Sequence, residues 1–162
     1  MMHGIARHGE PVAWSLLESI TGADCGLIVL RCDDEAGLLQ QLRRLALHSG
    51  QAMYLWREGA GLRRMREGDE EVPGCGRMAD VLRYVSQSAH FGIYFLAHSA
   101  ASFDSDLVPL LRRVSRADGQ PLRRVVLLGA PPALPAGVRA HELVWKVQAP
   151  GRPRLRDGRW VR

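Results

Sequence analysis

Cysteine is scarce in this chain, with only Cys25, Cys32 and Cys75 among 162 residues. Their spacing matches neither a metal site nor a disulfide framework, so we expect no bound metal and no disulfide scaffold. Two of them flank an apolar run, where a cysteine usually acts as a small buried residue. The pattern is typical of a protein from a reducing cytoplasm.

Long apolar runs are absent as well. No stretch approaches the roughly 18 residues that cross a bilayer, and residues 1–10 lack the apolar centre of a signal peptide. We therefore expect a cytoplasmic protein without membrane insertion.

Lysine is almost missing, because Lys146 is the only one, and the formal net charge of +5 comes from arginine. Such a charge is compatible with nucleic acid or an acidic protein partner. A solvated, arginine-rich surface explains it more simply, so we do not expect nucleic-acid binding. The clustered arginines are Arg112, Arg113, Arg116, Arg123 and Arg124.

Short apolar runs alternate with helical patterns along the chain. The first run, 25–32, enters the acidic Asp33-Asp34-Glu35 and then a helix, as a buried parallel strand does. Strands are expected at 25–32, 52–56, 91–96, 124–129 and 141–147, and helices at 10–20, 34–48, 78–89 and 104–115. This order predicts an α/β, three-layer sandwich with a mainly parallel five-stranded sheet, Rossmann-like or P-loop-like in topology.

Two segments are predicted to lie outside this regular pattern. Residues 57–76 are polar and glycine-rich, and they are predicted to form a long functional loop. Residues 1–148 are expected to form the single domain, and 149–162 an arginine-rich tail. Asp157-Gly158 between alternating residues predicts a β-hairpin there.

The tail's candidate interaction residues are Arg154, Arg156, Arg159 and Trp160. Trp56 and Trp145 are set in strands and are therefore expected in the core.

The strand ends lack the residues of an ATPase. A P-loop needs a glycine-rich turn with a lysine to neutralise phosphate, whereas the first strand here runs through Cys32 into Asp33-Asp34-Glu35. The strand at 91–96 ends in Ala97-His98-Ser99, which offers no acid for magnesium. Ser99 also lacks the flanking glycines of a nucleophile elbow. We expect no catalytic residues, no cofactor and no enzymatic activity.

One motif in the predicted loop suggests a ligand. Arg66-Glu67-Gly68-Asp69 resembles the Arg-x-Gly-Asp motif that binds cyclic di-GMP in diguanylate cyclase-like domains. There the arginine holds a phosphate or stacks on guanine, and the aspartate binds a base edge. The candidate ligand-binding residues are Arg63, Arg64, Arg66 and Asp69.

A resemblance to a known family covers residues 25–147. The strand entering Asp33-Asp34-Glu35, the Tyr54-Leu55-Trp56 strand with Gly61-Leu62, the Gly92-Ile93-Tyr94 strand and the Ala130-Pro131-Pro132 turn resemble a degenerate, P-loop NTPase-like domain. That domain precedes the ATPase module in bacterial and plastid AAA-type ATPases. The resemblance implies an NTPase-like scaffold, here expected to stand alone, that interacts without catalysis.

The leading functional hypothesis is therefore a non-enzymatic regulatory module that binds a protein partner, or a second copy of itself, in a bacterial cytoplasmic assembly. One alternative is a sensor that binds a nucleotide or cyclic di-GMP at 66–69. Another is a receiver-like pseudo-domain, for which Asp33-Asp34 and Lys146 would serve but Ala97-His98 would not.

Overall fold

Helices and strands alternate through the part of the chain that the computed structural model describes: residues 12–66, 70–97, 102–116, 123–129, 133–146, 154–156 and 159–161. The helices are α1 (Val12–Thr21), α2 (Glu35–Ser49), α3 (Met78–Gln87) and α4 (Leu107–Ser115). The strands are β1 (Leu27–Cys32), β2 (Met53–Arg57), β3 (Gly61–Arg64), β4 (Gly92–Ala97), β5 (Arg123–Leu128), β6 (His141–Trp145), β7 (Arg154–Arg156) and β8 (Arg159–Val161).

Strands β1 to β6 form one sheet in the order β3-β2-β4-β5-β1-β6, and only β3 runs antiparallel to its neighbour. Alternate side chains of the strands enter two separate clusters. Ile28 and Val126 pack on the first face with α1 and α2, whereas Val29 and Leu127 pack on the second face with α3 and α4. Both faces of the sheet are thus covered, as parallel strands require. The predicted α/β, Rossmann-like fold with a mostly parallel sheet is confirmed.

The sheet has six strands rather than the five expected, because β3 lies inside the segment predicted as a loop. Gly59 and Gly61 have φ angles of 80° and 74°, a conformation that glycine adopts without strain. They let the chain reverse after β2, so that β3 pairs with it antiparallel. Leu62 then enters the second core cluster fully buried. The glycine richness of this segment indicated a tight turn, not an extended loop.

The bounds of α2 lie within one residue of the predicted helix at 34–48. The Asp34 carboxylate accepts a hydrogen bond from the Gly37 amide at 3.0 Å, which makes Asp34 the N-cap. Gly50 closes the helix with a φ of 70°, the left-handed conformation that favours glycine after a helix. Short-range signals therefore fix this helix correctly.

Two consecutive arginines at the start of β5 hold helices on opposite faces of the sheet. Arg123 donates from Nη1 to the carbonyls of Val85, Ser86 and Ser88, each at 2.8 Å, at the end of α3. Arg124, only 5% exposed, donates from Nε to the Ile20 carbonyl at 3.2 Å and from Nη2 to the Ala23 carbonyl at 2.8 Å, beyond the end of α1. Each guanidinium thus donates to backbone carbonyls at or just beyond the end of a helix, where carbonyls lack the regular helical donors.

These contacts change the interpretation of the clustered arginines. Arg123 and Arg124 bind backbone carbonyls, and Arg112 donates to the Ala136 carbonyl at 2.8 Å. Arg113 and Arg116 stay exposed on the α4 side. Three of the five arginines therefore serve the fold.

Strands β7 and β8 pair antiparallel in a separate two-stranded sheet, with Leu155 opposite Trp160. This is where the C-terminal hairpin is predicted. Asp157 and Gly158, and the side chains of β7 and β8, lie outside the described part of the structure.

The role of Arg124 can be tested by substituting methionine, which fills a similar volume but cannot donate. We expect Arg124→Met to lower the free energy of unfolding by about 3 kcal/mol, because the carbonyls of Ile20 and Ala23 lose the buried donors that Arg124 supplies. Arg113→Met is the matched control, since an exposed change alters stability by about 0.5 kcal/mol or less. Urea unfolding of the two variants measures the difference. Equal stabilities would show that the Arg124 contacts do not stabilise the fold.

Candidate functional site

The carboxyl ends of the parallel strands meet at one edge of the sheet, and β1 and β5 are the neighbours whose chains leave in opposite directions. After β1 the chain enters α2 on the first face. After β5 the described segment 133–140 packs Leu134 and Val138 on the second face. In open α/β sheets a ligand binds in the crevice at such a switch point. The residues between β1 and α2 therefore form the candidate site.

The N-terminus of α2 at this switch point is capped by a carboxylate of the chain, that of Asp34. The Asp34 Oδ1 atom accepts the Gly37 amide, and the Asp34 carbonyl accepts the Leu38 amide at 3.0 Å. Free amides at this position are what a phosphate would need. Here the Gly37 amide is already bonded to the Asp34 carboxylate.

Gly37 is matched to this cap. A Cβ atom on Gly37 would overlap the Asp34 carboxylate. The absence of a side chain at Gly37 therefore lets the carboxylate lie against the first turn of α2.

The site has a negative electrostatic environment. Burial raises the pKa of the Cys32 thiol, and the nearby charge of Glu35 raises it further. A hydrogen bond with the Gly129 backbone lowers this pKa in part, and the charges of Asp33 and Asp34 add smaller increases. Arg57 Nη2 lies 4.0 Å from Glu35 Oε1, and both side chains are well exposed. Within the described ranges, no group of three histidine, cysteine or acidic side chains could hold a metal ion.

Two residues that the sequence places at this edge, after β4, lie outside the part of the chain that the structure describes. Strand β4 is described to Ala97, and His98 and Ser99 lie beyond the described residues. The hypotheses that involve those two residues stay predictions.

A depression of about 250 Å³ lies beside the same edge of the sheet, between the first turns of α3 and α4. Its wall includes Trp56, whose Nε1 donates to the Gly76 carbonyl at 3.2 Å. Trp56 is 3% exposed and Trp145 is 4% exposed, which confirms that both belong to the core. Among the described residues, the ionisable side chains that line the depression are Glu58, Arg77, Asp104 and Asp106, so three acids and one base are present there.

The candidate ligand-binding arginines are distributed over both faces of β3. Arg63 and Arg64 are consecutive in the strand, and successive side chains of a strand point to opposite faces. Arg63 Nη2 lies 3.9 Å from Glu71 Oε2. Arg66 is exposed just after the strand, and Asp69 lies outside the described residues.

Arg64 lies beside a cluster of tyrosines that sequence reasoning missed. Tyr54, opposite Arg64 in the sheet, stacks on Tyr94 with ring centroids 4.7 Å apart, and Tyr84 meets Tyr94 edge-on at 6.2 Å. Burial raises the pKa of Tyr94 to about 12. Tyr54 and Tyr94 meet because they are paired in neighbouring parallel strands, so strand alignment was the signal that could have found them.

Comparison with protein families identifies the fold's relatives. The family model of the SpoVK-like AAA ATPase N-terminal domain matches residues 15–145. The chain belongs to this family. The resemblance to an N-terminal domain of AAA-type ATPases is thereby confirmed. Comparisons with curated proteins and with solved structures found no match.

The matched range of this SpoVK-like N-terminal domain begins within α1 and ends with β6. It therefore includes the switch point, the tyrosine cluster, and Arg123 and Arg124 at the start of β5. Among the described residues, no helix is long and apolar enough to cross a bilayer.

Because Gly37 contacts the Asp34 cap, the effect of Gly37→Ala on stability should change sign when Asp34 is removed. In the wild-type chain, Gly37→Ala should destabilise the domain by about 1 kcal/mol, because the new methyl group displaces the capping carboxylate. In an Asp34→Ala background the same change should stabilise it by roughly 0.5 kcal/mol, since alanine favours helix over glycine. Urea unfolding of the four proteins of this cycle gives both values. The same sign in both backgrounds would contradict the proposed fit of Gly37 to the cap.

Proposed function

We propose that this SpoVK-like N-terminal domain is a non-catalytic, NTPase-like module that regulates a cytoplasmic assembly by binding a protein partner. The observation that carries this proposal is the occupied N-terminus of α2, where the Asp34 carboxylate accepts the Gly37 amide at 3.0 Å.

The physical argument concerns phosphate binding at the switch point. A triphosphate is held by free backbone amides and a lysine at the turn after the first strand. Here a phosphate would have to displace the Asp34 cap and approach Asp33 and Glu35. The single lysine of the chain, Lys146, follows β6 rather than β1. This combination supports a scaffold that has lost nucleotide chemistry.

The partner in this proposal is a protein. The family name places such a domain before an ATPase module, and a domain in that position without catalysis acts through contacts with other chains. The tail supplies candidate anchors in Trp160 and its neighbouring arginines, because tryptophan and arginine dominate the energetics of many interfaces.

The absence of nucleotide binding is directly testable. We expect millimolar MgATP or MgGTP to leave the melting temperature of the domain unchanged, because a ligand that does not bind the folded state cannot stabilise it. We also expect no phosphate release above a protein-free blank. Stabilisation by MgATP that increases in the Asp34→Lys variant, where a base replaces the capping acid, would instead indicate a nucleotide site at the switch point.

Cyclic di-GMP belongs in the same titration as a separate arm. Stabilisation by cyclic di-GMP in the wild type, lost in Arg66→Ala but retained in the exposed control Arg113→Ala, would favour a sensor function over the proposed module.

The protein partner can be tested with the tail residues. Affinity capture from an extract of the source organism should recover a partner with the full chain. A variant with Arg154, Arg156, Arg159 and Trp160 all changed to alanine should recover much less. The control changes Arg113 and Arg116 to alanine and should behave like the wild type. Equal recovery by all three proteins would contradict a role for the tail in binding.

A further inference from the structure

Strand β6 leaves one edge of the six-stranded sheet unpaired. It pairs with β1 on one side, and no other described strand pairs with its outer side. Strands β7 and β8 pair with each other instead. An open edge presents a row of backbone N–H and C=O groups that can pair with a strand of another chain.

The side chains of β6 differ sharply between its two faces. Trp145 is buried on the first face, where Leu143 packs against the same core cluster. Glu142 and Val144 alternate with them in the strand and are exposed, and Lys146, which follows the strand, is exposed as well. Val144 is 63% exposed. Neither Glu142 nor Lys146 forms an ion pair with another described residue. Along this edge strand, an exposed valine therefore lies in sequence between an acidic and a basic residue, both exposed.

This pattern is complementary to itself. We infer that β6 of one copy pairs antiparallel with β6 of a second copy, with the twofold axis at Val144. In that register Val144 lies opposite Val144 of the second copy. Glu142 lies opposite Lys146 of the second copy, and the symmetry repeats this ion pair. Directly opposed opposite charges stabilise an antiparallel pair, and a twofold interface uses the same surface of both subunits.

The two charges do not pair within one copy. Glu142 and Lys146 are separated by about 13 Å along the chain, and they form no ion pair with each other. Charged residues on an edge usually prevent strands from pairing there. In this strand the spacing reverses that effect, because the antiparallel register centred on Val144 places each acid opposite a base. A shift by one residue removes both ion pairs.

The first face of the same edge is also open to a neighbour. A groove of about 200 Å³ runs between α1 and β6, and its lining includes Ser19, Leu143 and Trp145. The Trp145 Nε1 atom is buried there without a hydrogen-bond acceptor in the described structure. In the inferred register, Leu143 of the second copy lies opposite Trp145 and adds apolar cover at this groove.

The inference goes beyond the proposed function, since strand pairing at β6 requires neither the presence nor the absence of a nucleotide. The strand that pairs with the edge at β6 is, in this inference, β6 of a second copy of the chain. The contact is short, and small interfaces are weak, so we expect a dimer that dissociates in the micromolar range.

Charge reversal tests the register. Sedimentation velocity of the full chain over a concentration series should show a monomer–dimer equilibrium. Glu142→Lys alone, or Lys146→Glu alone, should weaken dimerisation by about tenfold or more, because attractive cross-strand pairs become repulsive. The double variant Glu142→Lys with Lys146→Glu restores both pairs with the charges exchanged, and should dimerise like the wild type.

The same experiment contains its refutation. A monomer at every concentration, a dimer unaffected by either single reversal, or a double variant no tighter than the singles would each overturn the inference. Because Glu142 and Lys146 are exposed, the variants should keep the wild-type circular dichroism spectrum and melting temperature, which excludes unfolding as the cause.

Cross-linking provides an independent readout. A zero-length carbodiimide reagent joins an amine to a carboxylate in direct contact, and Lys146 is the only lysine of the chain. Mass spectrometry of the cross-linked dimer should find Lys146 joined to Glu142. Lys146→Arg keeps the charge but removes the amine, so it should still sediment as a dimer and lose this cross-link. A dimer cross-linked only at other positions would overturn the proposed register.

Discussion

The two guanidinium groups at the start of β5 hold the three layers of this domain together. Arg123 reaches the end of α3 on one face and Arg124 reaches the end of α1 on the other. Each donates to backbone carbonyls at or just beyond the end of a helix, where the regular helical donors are lacking. Because β5 lies between β4 and β1 near the middle of the sheet, this pair ties both helical layers to one central strand.

At the opposite end of the strands, a second self-contained interaction shapes the functional argument. The Asp34 cap occupies the helix N-terminus at the switch point, and the first turn of α2 accommodates it because Gly37 has no side chain. The edge where an NTPase-like fold would hold phosphate is thus stabilised by the chain's own charge. That arrangement directs attention away from the switch point and towards the surfaces that could contact other proteins, namely the C-terminal tail and the open edge at β6.

Sequence patterns predicted the parts of this structure that depend on near neighbours. Asp34 and Gly50 mark the ends of α2, and the apolar runs mark the parallel strands to within a few residues. The strand β3 was missed, since a glycine-rich hairpin has the composition of a loop until its pairing partner is known. Of the candidate ligand residues, Arg63 and Arg64 lie on opposite faces of that strand, which no composition argument could reveal.

The amino-acid sequence by itself determined the layer architecture, the approximate bounds of the helices and the acidic character of the first strand end, because these follow from periodicity and contacts within a few residues. Only the tertiary structure decided what the arginines and tyrosines do. Arg124 meets the Ile20 carbonyl across 104 positions of sequence, and Tyr54 meets Tyr94 across a strand pairing. The strand order likewise decides which described strand lies outermost, and it places Glu142 and Val144 on that strand, with Lys146 directly after it. Such contacts depend on how distant segments pack, and local pattern carries no information about that packing.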